Sequence, residues 1–286
     1  MLRDWLKLIL KNSQNKNRFF VRTELKEVIQ GYILNFVYNN NTYKRLIFTG
    51  GTCLRKIYGL PRLSEDLDFN YLGKLSITNF SKKLKDYFAK DLQYKEVEAK
   101  IAGHGRTVFL KFPKVLAEIG VANNLSESQM LFVRCDFASE TGRDFGTSIN
   151  AISTNDFSFF ALSYDLPTLF ANKMIAFLER GFFKGGKQEI AFKGRDLFDI
   201  SWFLSESVRT GFSLQPRWSR IFREIGSTDK KEIVEAMVHK VERIKKQDLV
   251  VDLYPFIESA ATIENFGENF RQIVIEKLTL MADRSI

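Results

Sequence analysis

The sequence predicts a mixed α+β chain in which strands and helices alternate first and helices alone follow. Short apolar runs typical of strands alternate with amphipathic helical patterns up to about residue 160. Beyond that point the apolar residues recur at helical spacing. The chain has 286 residues, of which 45% are apolar, so it is long enough to bury two cores. We therefore expect one domain over residues 1–160 and a helical domain over residues 161–286.

The N-terminal half is expected to begin with two helices. The segment "MLRDWLKLILKNSQNKNR" mixes acidic and basic residues and has no small-residue cleavage site. It therefore predicts an amphipathic helix and not a signal peptide. The apolar residues of segment 23–38 also recur at helical spacing, which predicts a second helix with Thr23 as its N-cap.

A strand, a glycine turn, a short helix and a second strand come next. The run "KRLIFTGG" predicts a buried strand that enters the turn, and "TCLRKIYGLP" predicts a helix that ends at Gly59 and Pro61. The run "EDLDFNYL" predicts the second strand. A helix, a hairpin and two more strands are expected from "TNFSKKLKDYFAKDL", "YKEVEAKIAGHGRTVFLKF", "SQMLFVRCDFAS" and "SFFALSY".

The C-terminal half carries four long helical patterns. They are "DLPTLFANKMIAFLERG", "GRDLFDISWFLSES", "DKKEIVEAMVHKVERIKK" and "TIENFGENFRQIVIEKLTLMADR". The segment "KGGKQEIAFKGR" connects the first two, and its cations and glycines predict a basic loop suited to RNA or a nucleotide.

Composition narrows the classes of protein and of chemistry. No apolar run approaches the roughly 20 residues of a membrane span, so we expect a cytoplasmic protein with no membrane partner. Two cysteines provide neither a disulfide framework nor a zinc spacing, and only two histidines are present. Carboxylates, lysines and metal ions are therefore the expected agents of catalysis.

Positive charge is concentrated in the N-terminal half. Residues 1–160 hold 24 of the 43 Lys and Arg residues but only 16 of the 34 Asp and Glu residues. A polyanionic partner such as RNA would explain this excess, and an ordinary solvated surface would explain it equally well.

Asp66 and Asp68 are the first candidate catalytic pair. Because side chains alternate across a strand, both carboxylates point to one face, roughly 6–7 Å apart. Leu67 and Phe69 then occupy the opposite, apolar face. Two carboxylates on one face of an inner strand suit two Mg²⁺ ions about 3.5–4 Å apart, the arrangement used for displacement at phosphorus. A plain solvent-facing pair is the alternative.

The turn "GGT" at residues 50–52 is the candidate phosphate site. It follows a buried strand and opens a helix, so backbone N–H groups at a positive helix end would face a phosphate. The hydroxyl of Thr52 can add a donor. Glycines placed at such a turn for steric reasons alone are the alternative.

The order and spacing of these two features resemble the nucleotidyltransferase superfamily. More narrowly, "GGTCLRKIYGLPRLSEDLDF" resembles the AbiEii/AbiGii-type, MenT-like toxins, whose pattern runs GGT-x-L-x-K-x-Y-G and then R-x-S-x-D-L-D-F. The resemblance implies a polymerase-beta-like palm with a C-terminal helical bundle. It also implies that Mg²⁺ or Mn²⁺ binds Asp66 and Asp68, and that an NTP binds near Gly50, Gly51, Thr52 and Ser64.

The resemblance also implies a third metal-binding carboxylate on a strand next to that of Asp66 and Asp68. Asp136 in "MLFVRCDFAS" is the candidate, since Cys135 and Phe137 would point to the other face. An aspartate that meets solvent at a strand end is the alternative.

A second set of motifs lies in the helical half. The family carries K-x-x-A-x-x-x-R and then K-x-R-D-x-x-D, and this sequence has "KMIAFLER" from Lys173 to Arg180 and "KGRDLFD" from Lys193 to Asp199. The resemblance implies that Lys173, Arg180 and Arg195 bind the nucleotide and that Asp196 is a catalytic or structural partner of Lys173. A lysine that extends from an amphipathic helix to solvent is the alternative for Lys173. The motifs end near residue 200, and the last 80 residues carry none.

These features together predict a cytoplasmic, Mg²⁺-dependent nucleotidyltransferase toxin that acts with a cognate antitoxin. By the resemblance, it would transfer NMP from an NTP to the 3′ end of tRNA and so block translation. Nucleotidyl or phosphoryl transfer to a protein, as by an AMPylator or a kinase, is one alternative, because the same metal and phosphate apparatus serves both. An inactive binding module is another.

Overall fold

The computed structural model describes residues 2–13, 16–113, 115–118, 130–180, 182–184, 188–190, 192–209 and 214–283. The chain divides into two compact units. The N-terminal unit contains Met1–Thr141 and Thr147–Ser163, and the C-terminal unit contains Gly142–Gly146 and Tyr164–Ile286.

The N-terminal unit is a sheet with helices. Its helices are α1 (Leu2–Lys11), α2 (Arg18–Tyr38), α3 (Gly50–Tyr58), α4 (Ile77–Asp86), which runs into a π-helical turn (Tyr87–Asp91), and α5 (Val115–Glu118). Its strands are β1 (Ile47–Thr49), β2 (Asp66–Tyr71), β3 (Glu98–Ala102), β4 (Thr107–Phe112), β5 (Leu131–Ser139), β6 (Thr147–Ser153) and β7 (Ser158–Tyr164).

The seven strands lie in the order β3-β4-β5-β2-β1-β7-β6. Strands β2 and β5 are parallel, as are β1 and β7, whereas β2 is antiparallel to β1 and β4 is antiparallel to β5. Strand β6 was not predicted, because "TSINAIS" has little of the apolar alternation on which strand assignment depends. The predicted hairpin is confirmed as β3 and β4, which pair in antiparallel register.

An aromatic row on one face of the sheet orients the strands. The rings of Phe48, Phe69 and Phe137 stack with successive centroid distances of 5.7 Å, and Phe80 from α4 meets Phe137 edge-on at 4.8 Å. These four rings are buried. Because side chains alternate, burying Phe69 and Phe137 turns the residues next to them in β2 and β5 to the other face.

The N-cap predicted for the second helix is wrong. Helix α2 begins at Arg18, and Asn17 is its N-cap, with the side-chain oxygen accepting from the Phe20 N–H at 2.8 Å. Thr23 lies inside the helix, where its hydroxyl donates to the Phe19 carbonyl. A side chain that bonds back to the previous turn does not end a helix.

The C-terminal unit is helical apart from one small hairpin. Its helices are α6 (Leu166–Glu179), α7 (Gly194–Arg209), α8 (Trp218–Ile225), α9 (Lys230–Glu242), α10 (Lys246–Leu253) and α11 (Ala260–Asp283). Helix α6 is capped by Asp165, whose carboxylate accepts from the Thr168 N–H at 2.9 Å. Phe170 and Phe203 stack at 4.6 Å and join α6 to α7. The mixed α+β fold class is thus confirmed.

Two details of the C-terminal unit differ from expectation. The short helices α8 and α10 were not predicted, because eight residues show too little periodicity. The segment expected as a basic loop, residues 184–195, contains strand β9 (Gln188–Ile190), which pairs in antiparallel register with β8 (Phe182–Lys184) at its start. Residues 185–187 and 191 of that segment lie outside the described residues. In the part of the chain that the structure describes, no helix combines the length and the apolar character needed to cross a bilayer.

Candidate active site

Three predicted carboxylates come together on the sheet face opposite the aromatic row. In the parallel register of β2 and β5, Asp68 pairs with Asp136 and Asp66 pairs with Arg134. All four residues are partly exposed, whereas Leu67 and Cys135 between them are buried. The structure thus places Asp136 beside the Asp66 and Asp68 pair, as the resemblance required.

Arg134 bridges two of these carboxylates. Its Nη2 atom lies 2.6 Å from Asp66 Oδ2, and its Nε atom lies 2.8 Å from Asp136 Oδ2. The second oxygen of Asp136 accepts a hydrogen bond of 2.6 Å from the hydroxyl of Thr107, its neighbour on β4. Sequence reasoning missed Arg134, although its place two residues before Asp136 already put it on the same strand face.

The pKa values of Asp66 and Arg134 are both shifted by burial and by the neighbouring charges. Burial raises the pKa of the Asp66 carboxyl above its ordinary value even though Arg134 opposes the shift, and Glu65 and Asp136 add to it. Burial by itself lowers the pKa of Arg134, but the negative charges of Asp66, Asp136 and Asp68 outweigh burial and raise it. Three negative charges on one face repel one another, and the positive charge of Arg134 offsets this repulsion.

The glycine turn packs directly against the carboxylates. Gly50 opens α3 with φ +77°, and a Cβ atom added there would overlap a carboxylate oxygen of Asp68. A Cβ added at Gly51 would lie 2.8 Å from Arg62 Nη2 and 3.0 Å from Ser64 Oγ. Gly50 is therefore required by its positive φ and by close approach, whereas a side chain at Gly51 would displace the end of Arg62, and the start of α3 lies next to Asp68.

The predicted nucleotide ligands Thr52 and Ser64 are buried. The hydroxyl of Thr52 donates to the backbone carbonyl of Asp66, and the carbonyl of Ser64 accepts from Gln30 Nε2 at 2.8 Å. Arg62, also buried, donates to the carbonyl of Leu63 at 2.8 Å. These bonds hold the turn and the entry to β2 together, and a direct contact with a nucleotide stays a prediction for Thr52 and Ser64.

The cations one turn into α3 pair with α2. Arg55 Nε and Lys56 Nζ lie 3.1 and 3.2 Å from Glu27 Oε1. Burial by itself raises the pKa of Glu27, but Lys56 and Arg55 outweigh burial and lower the pKa below its ordinary value. These two cations therefore join α3 to α2.

The second set of motifs forms an ion cluster within the C-terminal unit. Lys173 Nζ on α6 lies 2.8 Å from Asp199 Oδ2 and 3.3 Å from Asp196 Oδ1 on α7. Arg180 Nε lies 2.8 Å from Asp196 Oδ2. Asp199 is fully buried, so Lys173 neutralises a carboxylate that could not stand alone there. Sequence reasoning gave Asp199 no role, although it lies one helical turn after Asp196.

The other cations of this motif have different surroundings. Arg195 places its guanidinium 4.3 Å from the centre of the Phe256 ring, and its backbone N–H donates to Asp252 Oδ2 at 3.0 Å. Burial lowers the pKa of Lys193, and Arg195 and Arg180 lower it further. Lys193 thus lies partly buried near two other cations, and the carboxylates of Asp196 and Asp252 oppose the lowering of its pKa. The nucleotide-binding role of Arg195 stays a prediction.

The carboxylate cluster fits a divalent metal ion by its chemistry. Carboxylate oxygens are the ligands that Mg²⁺ prefers, and the guanidinium of Arg134 shows that two of the three carboxylates can share one cation. Among the described residues, no three His, Cys, Asp or Glu side chains are grouped closely enough to hold a metal ion as they stand. The cation between Asp66 and Asp136 in this arrangement is Arg134.

A model of the family described as nucleotidyl transferase AbiEii toxin, type IV TA system, matches residues 38–276. The chain belongs to this AbiEii family. It is therefore a nucleotidyltransferase of the toxin class of type IV toxin–antitoxin systems. The match begins before the glycine turn and continues well past residue 200, so the last helices belong to the family region although they carry no motif that we recognised.

Comparison with solved structures finds matches over most of the chain at low sequence identity. MenT4, a nucleotidyltransferase toxin from Mycobacterium tuberculosis H37Rv, matches 98% of this chain and 90% of its own length with a TM-score of 0.60 at 14% identity. JHP933 and a putative nucleotidyltransferase, both from Helicobacter pylori, match 91% of this chain and 94% and 97% of their own lengths, each with a TM-score of 0.42 at 16% identity. Curated proteins provide no match to the sequence.

Proposed function

We propose that this AbiEii-family chain transfers NMP from an NTP to the 3′ end of tRNA in the cytoplasm and thereby blocks translation. The observation that carries the proposal is the cluster of Asp66, Asp68 and Asp136 beside the start of α3. Carboxylates next to a helix N-terminus bring a metal-binding group and a phosphate-binding group together. Nucleotidyl transfer needs both groups at one place.

Asp66, Asp68 and Asp136 are the residues that would hold Mg²⁺ or Mn²⁺. A divalent cation bound there would stabilise negative charge on the α-phosphate and make the acceptor hydroxyl a better nucleophile. Thr107 keeps one oxygen of Asp136 oriented. The backbone of Gly50 leaves Asp68 little room to move. These contacts orient Asp136 and Asp68 on the face where a metal would bind, and the three carboxylates would have to move closer together to share it.

The start of α3 would receive the phosphates of the NTP. Gly50 and Gly51 are the first residues of the helix, and their backbone N–H groups have no partner within a regular helix. The helix dipole adds partial positive charge at this end. Thr52 and Ser64 lie beside this turn and are assigned to nucleotide binding; the Thr52 hydroxyl also donates to the Asp66 carbonyl, and the Ser64 carbonyl accepts from Gln30, which holds the turn in shape.

In the C-terminal unit we assign Lys173, Arg180 and Arg195 to the phosphates of the NTP. The supporting observation is that Lys193 lies near Arg195 and Arg180, since burial first and these two positive charges next lower its pKa, while Asp196 and Asp252 oppose the shift. Asp196 would position Lys173 and Arg180, because it contacts both. A bound triphosphate would take over charge-assisted hydrogen bonds from Lys173 and Arg180, which now pair with Asp196 and Asp199.

RNA as the acceptor is supported by the excess of cations in residues 1–160. A cognate antitoxin as a partner follows from the toxin–antitoxin family. Label position in the NTP identifies the transferred group, and label in tRNA identifies the acceptor.

The decisive experiment supplies purified protein with Mg²⁺, total tRNA and each NTP labelled at the α- or γ-phosphate. We expect label from the α-position to enter tRNA and to be lost in Asp68→Asn. The matched control Asp91→Asn changes an exposed aspartate of the same unit and should keep full transfer. Label that passes only from the γ-position would identify a kinase. No transfer in the wild-type protein would overturn the proposal.

The role of Arg180 in the C-terminal unit can be tested by measuring the KM for the NTP. Arg180→Ala should raise the KM for the NTP about tenfold or more, because one charge-assisted contact to phosphate is lost. Lys231→Ala removes an exposed cation of the same unit and should leave the KM unchanged. An unchanged KM in Arg180→Ala, with Asp68→Asn still inactive, would exclude Arg180 from the nucleotide site alone.

A further inference from the structure

One cation of the carboxylate cluster has no role in the proposed chemistry. Arg134 contacts Asp66 and Asp136 with two different nitrogens, at 2.6 and 2.8 Å. The oxygens that it uses belong to two of the three carboxylates assigned to the metal. Divalent cations bind such oxygens at about 2.0–2.6 Å. A metal ion at those oxygens and the guanidinium would therefore repel each other at close range.

Asp136 and Asp68 have contacts besides Arg134 that place their carboxylates. Thr107 on β4 donates to the other oxygen of Asp136 at 2.6 Å. Asp68 lies against the backbone of Gly50, which has no side chain to push it away. The strand register sets the backbone positions of Asp66 and Asp136. Removing Arg134 would leave a group of oriented negative charges, which is what a cation site requires.

Arg134 is also placed so that it can move. Its side chain remains 39% exposed, and its contacts are with two partly exposed carboxylates. Arg62 in the same unit is the contrast, because it is 3% exposed and donates to the buried backbone carbonyl of Leu63. A long side chain at a partly open face can turn to solvent when a stronger cation takes its place at the carboxylates.

We propose that Arg134 is a displaceable internal counterion that competes with the divalent metal ion for Asp66 and Asp136. This inference rests on the proposed metal site. In the absence of metal, Arg134 neutralises the cluster and keeps the three carboxylates from repelling one another. When the metal binds, the guanidinium leaves these oxygens. Arg134 thus weakens metal binding and sets the metal concentration at which the site fills.

The test is the binding of Mn²⁺ alone, followed by electron paramagnetic resonance without nucleotide. In Arg134→Gln, the Kd for Mn²⁺ should fall about tenfold relative to the wild-type protein. In Arg134→Lys it should fall less, because an ammonium keeps the charge but cannot bridge both carboxylates. Asp68→Asn should weaken binding in each background. The control Arg45→Gln removes the same charge from an exposed position and should bind as the wild-type protein does.

The outcomes separate this inference from the function on which it rests. If Mn²⁺ binds in a way that Asp68→Asn abolishes, and Arg134→Gln binds no more tightly than the wild-type protein, the counterion role is overturned and the metal site stands. If no protein shows binding that depends on Asp68, the metal site itself is overturned. Circular dichroism checks that each variant is folded, and Arg134→Lys carries the same test if Arg134→Gln does not fold.

Discussion

At the scale of single residues, the candidate site depends on the absence of a side chain at Gly50. Gly50 has φ +77°, and a side chain there would overlap the Asp68 carboxylate. Gly59 at the other end of α3 has the same φ of +77°, but a Cβ added there would meet nothing within 4 Å. Both positions therefore have a left-handed backbone, but only Gly50 lies against the carboxylate of Asp68.

Alanine at Gly59 and alanine at Gly50 should therefore have different effects on stability and on transfer activity. Gly59→Ala should cost about 1–2 kcal/mol of unfolding free energy, the cost of a left-handed backbone for an L-residue, and leave transfer activity intact. Gly50→Ala should lose at least as much stability and also abolish transfer, because Asp68 must move. Urea unfolding and the labelled-NTP assay measure the two effects. Full activity in Gly50→Ala would show that Asp68 does not need its present position.

At the scale of elements, α3 is held to its neighbours by charge and by burial. Arg55 and Lys56 at its C-terminal end pair with Glu27 of α2, and Thr52 at its start bonds to β2. In the C-terminal unit, the buried Asp199 similarly joins α7 to Lys173 of α6. The sequence motifs that identified the family therefore hold helices in place in addition to any contact with substrate.

The Glu27 contacts predict a pH dependence of stability. Because its pKa is lowered on folding, Glu27 contributes stability above its ordinary pKa near 4.5 and loses it as the pH falls through the lowered value. Glu27→Gln should cost about 1–2 kcal/mol at pH 7, and the difference from the wild-type protein should shrink as the pH falls below 4.5. Urea unfolding between pH 7 and pH 3 measures this difference.

The control for Glu27 is Glu96→Gln, which removes a carboxylate from an exposed position. It should lower stability little and leave the shape of the pH profile unchanged. A Glu27→Gln protein whose deficit stays constant from pH 7 to pH 3 would show that packing, and not charge, joins α2 to α3.

At the scale of the whole molecule, the family match and the charge are the informative features. The AbiEii match covers residues 38–276 and so extends through sequence of both units. The net charge is +9, with most of the excess in residues 1–160. A protein of this charge attracts polyanions over a distance that salt shortens.

This charge predicts a steep effect of salt on tRNA binding. The affinity measured by fluorescence anisotropy should fall about tenfold or more between about 50 and about 200 mM salt, because counterions are released when Lys and Arg meet phosphates. The match of MenT4 to this chain concerns the fold alone, so the measurement is needed to support RNA as a partner. Binding that salt leaves unchanged would contradict it.

The sequence by itself determined the elements whose signals are local. Strand alternation put Asp66 and Asp68 on one face, and the glycine turn, the aspartate pair and their spacing indicated the AbiEii family, which the family model confirms. Periodicity over long windows found α2, α6, α7 and α11. Short elements such as β6, α8 and α10 were missed because their few residues carry too little pattern.

Tertiary structure decided what depends on residues far apart in the chain. The parallel register of β2 and β5 pairs Asp68 with Asp136 and Asp66 with Arg134, and no local pattern specifies a register between strands separated by some sixty residues. The same holds for the burial of Asp199 against Lys173. Which charges meet, and which cation a carboxylate keeps, follow from packing, because the strength of an ion pair is set by distance and by the surrounding medium.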